Sequence, residues 1–533
     1  MEIAEAVGQR LLLAFHGKES PSTEIERAIR DFQPAGISLF RSLNIDSPAQ
    51  LRDLTGSLQR LARDSGLSPL LIATDQEGGQ LMAVGAGTPL PGNMALGATG
   101  SESLARRAGE VLGCELAAMG VNVDYAPCVD VNINPHNPVV GVRSFGEDPA
   151  EVAILGAAMV EGIQSQGVAA TAKHFPGHGD TASDSHHGLP FVPHSLERLR
   201  ALEFVPYRSS IKAGTKLVMT AHLALPALDG PSAPPATLSP RVLKGVLRSE
   251  LGFNGVIVTD ALDMHAIRQG EALGGEAVKA AAAGADLLLV TANPRDQQRI
   301  HSALMNAAEG GGLDRSDLVA SAARVLALKG WLARQPPAPD LGVIGSARHM
   351  EVAREIAERS ITLVRNRANL LPLRLAPDQR IAVVVPKPLD LTPADTSSYV
   401  SLQLAGSLRQ YHPRVDEFLI PYAPSDAEIR ELLQVLPGYD LIVVGTLNAF
   451  EQEDQAALVR ELHMTQVPVA VVALRLPYDL ASFPEVRTYL CTYSLMEPSM
   501  RAVAGVLFGH LRPAGRLPVG IPGLHEAGFS MQG

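Results

Sequence analysis

The chain of 533 residues is poor in sulfur and in rings: three cysteines, one tryptophan, and aromatics at 4%. Cys114, Cys128 and Cys491 are far apart, odd in number and never in CxxC spacing. That argues against a disulfide framework and against a thiolate zinc site. There is also no basic block and no run of interleaved aromatics, and the net charge is −11. Phosphate neutralisation needs clustered Lys and Arg, so a nucleic-acid partner is not expected. The opening segment "MEIAEAVGQRLLLAFHG" has acids near Met1 and no basic n-region. Its apolar run is too short for a signal peptide or a membrane span. The expectation is a cytoplasmic monomer without a membrane partner.

What is present is ordinary globular composition, 46% hydrophobic and 19% charged, at a length that suggests two or three domains. Eight short apolar runs cross the first two thirds, at 11–15, 36–40, 70–75, 121–127, 168–175, 216–222, 255–260 and 285–290. They are continuous rather than alternating, as strands buried on both faces should be. The first is also compatible with a helix. Helix-like segments such as 101–120 separate most of them. Eight strand–helix repeats predict a (β/α)8 TIM-like barrel over 1–332. The Pro-rich stretch "LARQPPAPDLGVIGSARH" (332–349) reads as a linker, with its core over 333–349. Five further β-like runs, at 380–386, 415–421, 440–446, 467–477 and 486–494, predict a doubly wound α/β sandwich domain over 350–533. That region has no GxGxxG or GxxxxGK[ST], so no nucleotide is assigned to it.

Several barrel runs end in an ionisable residue: Asp75, Lys173 with His174, His222 and Asp260. One such residue would be a turn residue. Several on different strands point to a shared site, because barrel active sites gather at the C-terminal ends of the strands.

The stretch "KHFPGHGDTASDSHHGLP" (173–190) holds four of the 15 histidines. Its glycines and Pro176 forbid a helix, and the spacing of 174, 178, 186 and 187 matches no common metal-ligand pattern. No metal is therefore expected. Asp184 and His186 stand two apart, where a carboxylate can fix an imidazole's tautomer and raise its pKa. Such a histidine can protonate a leaving group. The fragment alone is equally compatible with a polar loop, and His187 competes with His186 for the role.

The same stretch resembles the signature of glycoside hydrolase family 3, in its bacterial β-N-acetylglucosaminidase branch. "GVIVTDALDM" (255–264), "IATDQEGG" (72–79), "DYAPCVDVNINPHNPVVGVRSFGEDP" (124–149), "TLVRNRANLLPL" (362–373) and "RPAGRLPVGIP" (512–522) are similar to further segments of that family. The resemblance covers nearly the whole chain and implies a retaining exo-glycosidase without a cofactor. It implies Asp260 as the nucleophile, His186 as general acid and then base, and Asp184 as the group that orients His186. Asp75, Arg143, Lys173 and His174 would hold the hydroxyls of terminal β-linked N-acetylglucosamine. Lys173 would also help keep Asp260 ionised. The implied partner is a small saccharide or a muropeptide fragment, as in peptidoglycan recycling.

In one respect the chain departs from that branch. An Arg is expected eight positions after the Asp of "DQEGG", and Ala83 stands there. A β-glucosidase or β-xylosidase with a carboxylate acid, offered by "FEQEDQ" (450–455), and a non-catalytic sugar binder therefore remain alternatives. An imidazole acid/base also repels an incoming anion less than a carboxylate, so phosphate is expected to compete with water as acceptor.

Overall fold

The computed structural model describes residues 1–185 and 188–531. The eight apolar runs form strands β1 (Leu11–Leu13), β2 (Gly36–Ser38), β3 (Leu71–Thr74), β4 (Val123–Asp124), β5 (Ala169–Phe175), β6 (Leu217–Thr220), β7 (Val256–Thr259) and β8 (Leu288–Val290). All pair in parallel, each with its sequence neighbour. β1 pairs with β8, and a parallel bridge from Val258 to Leu287 closes the ring. The run at 11–15 is thus a strand, and the barrel expectation holds.

Every residue of these strands is buried, and alternation divides them between two cores. Leu12, Leu71, Val123, Leu217, Val256 and Leu289 pack together inside the ring. Leu13, Ile72, Val218, Ile257 and Leu288 face outward and pack against the helices. Burial on both faces explains why the runs read as continuous. Val325 and Leu328, from the helix Arg315–Leu332, join the inner set. Arg10, just before β1, donates to the Asp317 carbonyl at 3.3 Å, so this helix covers the N-terminal end of the barrel. Barrel helices begin where the sequence supplies caps: Ser47 with Gln50 in a capping box, and Asp148 ahead of Pro149.

The second sheet has six strands, one more than expected. They are β9 (Thr362–Asn366), β10 (Ile381–Pro386), β11 (Val415–Ile420), β12 (Leu441–Thr446), β13 (Val469–Ala473) and β14 (Thr488–Cys491), in the order β9-β14-β13-β12-β10-β11. β9 runs antiparallel to β14 at one edge, and the other pairs are parallel. Its short apolar stretch is followed at once by "RNRAN", which hid it among loop residues. Within the Pro-rich connection, a helix already begins at Ala347, capped by Ser346. It packs between the barrel helices Asn93–Thr99 and Glu102–Ala118 and the second domain's Glu497–Leu507.

A segment of the second domain, 390–399, reaches the mouth of the barrel. Thr396 donates from both N (3.0 Å) and Oγ1 (2.8 Å) to the Gln80 carbonyl, and its Oγ1 accepts from Met82 N at 3.1 Å. Arg475 anchors the segment from behind through Asp395 at 2.8 Å. Among the described residues no helix is long and apolar enough to cross a membrane.

Candidate active site

A cavity of about 870 Å³ opens at the C-terminal ends of the barrel strands. Asp75, Arg143, Lys173, His174 and Asp260 all line it. Asp184 is buried beside it, and the next residue, Ser185, is part of the wall. His186 and His187 lie outside the described residues.

Asp75 follows β3. Lys173 and His174 sit within β5, where the pairing with β6 slips between Ala172 and Phe175. This irregularity places two consecutive side chains on the cavity, whereas a regular strand would present one. Lys173 Nζ lies 2.6 Å from Asp75 Oδ1 and 2.6 Å from Glu77 Oε1. Arg143 grips the same Glu77 with two nitrogens, at 3.0 and 2.7 Å, a bidentate pair. Glu77 is fully buried, and burial alone would raise its pKa. Arg143 and Lys173 outweigh it and hold the carboxyl down to about 2. Burial would likewise deprotonate Lys173, but Asp75 and Glu77 push its pKa above the usual lysine range. The quartet, buried except for a partly exposed Asp75, is two acids and two bases, so it balances its own charge.

His174 is oriented from both sides. Its Nδ1 is 2.8 Å from Asp130 Oδ2, and its Nε2 is 3.3 Å from Arg143 Nη2. Asp130 also accepts the backbone N–H groups of His174 (3.2 Å) and His178 (2.7 Å), and the Cys128 thiol (3.2 Å). Burial opposes ionisation of Asp130, yet His174 and these donors hold its pKa far below the usual carboxylate range. Cys128, Asp130 and His174 offer donor atoms within 4.8 Å of one another. Each of those atoms already serves the network just described.

Asp260 follows β7, and its Oδ1 accepts from Ala261 N at 2.8 Å. His222, at the end of β6, accompanies it: Nε2 lies 3.0 Å from the Ala261 carbonyl and Nδ1 lies 2.7 Å from Thr237 Oγ1. The ring thereby fixes the backbone behind Asp260. The Ser185 carbonyl accepts from Ala266 N at 3.3 Å, tying the Asp184 loop to the segment after β7. A Cβ on Gly179 would collide with the Val131 carbonyl, so only glycine lets this loop lie so close to the barrel rim.

Sequence reasoning brought Asp75, Arg143, Lys173, His174 and Asp260 to one cavity, and the structure does the same. Lys173, however, spends its charge on Asp75 and Glu77. The reasoning missed Glu77 and Asp130, although both lie inside the quoted motifs; a buried acid beside two bases leaves no mark on composition. It also missed Arg41 and the 390–399 segment, which reach the cavity only through the tertiary fold. None of residues 450–455 lines the cavity; Glu451 contacts His136 at 2.6 Å, and a helix starts at Glu453.

Residues 3–328 match the Glycosyl hydrolase family 3 N terminal domain, and residues 361–528 match the Glycosyl hydrolase family 3 C-terminal domain. A β-hexosaminidase A of Pseudoalteromonas piscicida is 30% identical, over 97% of this chain and 96% of its own. A β-N-acetylglucosaminidase/β-glucosidase of Cellulomonas fimi is 31% identical, over 85% of this chain and 83% of its own. The solved structure of a glycoside hydrolase family 3 β-N-acetylglucosaminidase from Paenibacillus sp. str. FPU-7 superposes with a TM-score of 0.91 at 39% identity, covering 97% of this chain and 98% of that one.

Proposed function

The chain belongs to glycoside hydrolase family 3, and from that premise we propose that it is a retaining exo-β-N-acetylglucosaminidase acting on fragments of chitin or peptidoglycan. One observation carries the reading. Asp260 faces the Asp75–Lys173–Arg143–His174 cluster within a single cavity. β7 and β3 stand four strands apart in a ring of eight, so Asp260 and Asp75 occupy opposite sides of the barrel mouth. A pyranose between them presents its anomeric carbon to one and its far hydroxyls to the other.

In this reading Asp260 attacks the anomeric carbon and forms a covalent glycosyl-enzyme. The leaving oxygen takes a proton from His186, whose partner is Asp184. The imidazole then removes a proton from the incoming water, and the second displacement restores the carboxylate with net retention. Asp75, Lys173, Arg143 and His174 orient the sugar, and their internal pairing means that no reorganisation is needed on binding. The relatives named as hexosaminidases support N-acetylglucosamine as the sugar. The dual name of the Cellulomonas relative supports a glucoside as a second substrate. Three unpaired cysteines, two of them buried, support a reducing, cytoplasmic setting.

The test is Asp260→Asn assayed on an aryl N-acetyl-β-glucosaminide. Loss of turnover by about 10⁴-fold is expected, the scale seen when a central catalytic group is removed. Undiminished turnover would overturn the assignment. Parallel rates on the aryl glucoside set the sugar preference.

A further inference from the structure

Arg41 is the cavity's unassigned cation. It follows β2 and lines the same wall as Asp75 and Ala83. The Ala83 N–H donates to the Asp75 carbonyl at 3.0 Å, so the two residues are neighbours on that wall. The Arg41 guanidinium lies against this strip: Nη1 donates to the Met82 carbonyl at 3.0 Å, and a Cβ added to Gly85 would run into the guanidinium. From the second domain, Tyr399 covers it, with the ring centroid 4.0 Å from Cζ. Among the described residues Arg41 forms no ion pair, and Nε and Nη2 have no hydrogen-bond partner. The other cavity bases are each already paired with a carboxylate, Lys173 with Asp75 and Glu77 and Arg143 with Glu77. Burial lowers the Arg41 pKa, with Tyr399 and Asp390 opposing; the group stays charged, as arginine does.

A half-buried guanidinium with spare donors, held in place by a carbonyl and an aromatic face, is built to meet acceptors on a ligand. Its place in the barrel says which acceptors. β2 adjoins β3, and β3 is diametrically opposite the strand that carries Asp260. A sugar with its anomeric carbon at Asp260 turns the opposite ring carbon, C4, toward the side where Asp75 and Arg41 stand.

We propose that Arg41 is a specificity-determining residue that donates to the 4-hydroxyl of the terminal sugar, with Tyr399 of the second domain holding it in position. This rests on the exo-N-acetylglucosaminidase reading above. It also gives the second domain a part in sugar selection: the 390–399 segment keeps the guanidinium on the wall instead of free in solvent. Gly85, with no Cβ, leaves the room in which the guanidinium lies.

The test compares an aryl N-acetyl-β-glucosaminide with its 4-deoxy and 6-deoxy analogues. Substrates are run on the native enzyme, Arg41→Ala and Gly85→Ala, with the melting temperature of each. Gly85→Ala displaces only the flexible end of Arg41 and leaves the residue itself in place. A hydrogen bond from a charged donor is worth about tenfold or more in binding. Arg41→Ala should therefore raise KM about tenfold on the parent sugar and shrink the 4-deoxy penalty by the same factor, with the 6-deoxy penalty unchanged. Gly85→Ala should move both quantities the same way; Arg41→Ala also loses the Met82 and Tyr399 contacts and should melt somewhat lower, so the 4-deoxy ratio and not the melting temperature decides. A purely structural Arg41 would lower stability or kcat without touching the 4-deoxy ratio. A 4-deoxy penalty that is the same in all three proteins, or a collapse of the 6-deoxy penalty in its place, overturns the assignment while the parent reaction stands. A native enzyme inert toward the parent glucosaminide overturns both.

Discussion

Lys173 and Glu77 form a buried ion pair at the centre of the site: Nζ stands 2.6 Å from Oε1, with the two side chains 1% and 2% exposed. Neither charge can find water if its partner is removed. Glu77→Gln leaves Lys173 with Asp75 alone and takes from Arg143 its bidentate acceptor. Breaking a buried pair in this way costs about 3–5 kcal/mol. Chemical denaturation should show that loss, together with reduced turnover because both bases drift from the sugar. A variant as stable as the native protein would mean that the pair contributes nothing net.

His178 gives stability a defined pH dependence. It is fully buried, which lowers its pKa to about 4 against the pull of Asp130. Above about pH 6.5 the ring is neutral in both the folded and unfolded chains, and it adds no slope. Between about 6.5 and 4 the unfolded chain binds a proton that the folded one refuses. Stability therefore falls as pH drops through that window, by up to about 3 kcal/mol from this group. His178→Gln keeps a polar contact for Thr181 and Ser185 and should flatten that part of the denaturation-against-pH curve. An unchanged slope would place the titration elsewhere.

Leaving-group dependence separates His186 from His187. If His186 is the acid, His186→Ala should slow a poor alkyl or sugar leaving group by about 10²–10⁴-fold and an activated nitrophenol far less. His187→Ala should treat both alike. Equal losses for His186→Ala on the two substrates would make it a shaping residue, and the reverse pattern would transfer the role to His187.

How much of this was legible in the sequence follows from what each residue does. The eight barrel strands were readable because both faces are buried, so apolar residues dominate each run and ionisable ones come mostly toward its C-terminal end. β11 was readable as well, although its middle is exposed. β9 was not, because only Thr362–Asn366 pairs, at a sheet edge, before charged loop residues begin. Asp75, Lys173, His174 and Asp260 announced themselves as ionisable residues at strand ends. Arg143 came only by resemblance, since it sits in a single 3₁₀ turn, Gly141–Arg143, with no periodic signal. Arg41 and Tyr399 are 358 positions apart in the chain, and nothing local marks them as a stacked pair. Contacts of that kind exist only once the second domain has docked on the barrel.

The account depends on a covalent bond between Asp260 and the anomeric carbon, and a slow fluorinated N-acetylglucosamine donor with a good leaving group tests it directly. The fluorine destabilises the cationic transition states, so the adduct should accumulate and be resolved by mass spectrometry of the proteolysed enzyme. The expected result is one sugar on the peptide that carries Asp260, released when an acceptor is added. Label on another residue, or continued turnover with no adduct as in substrate-assisted hydrolysis, would contradict it.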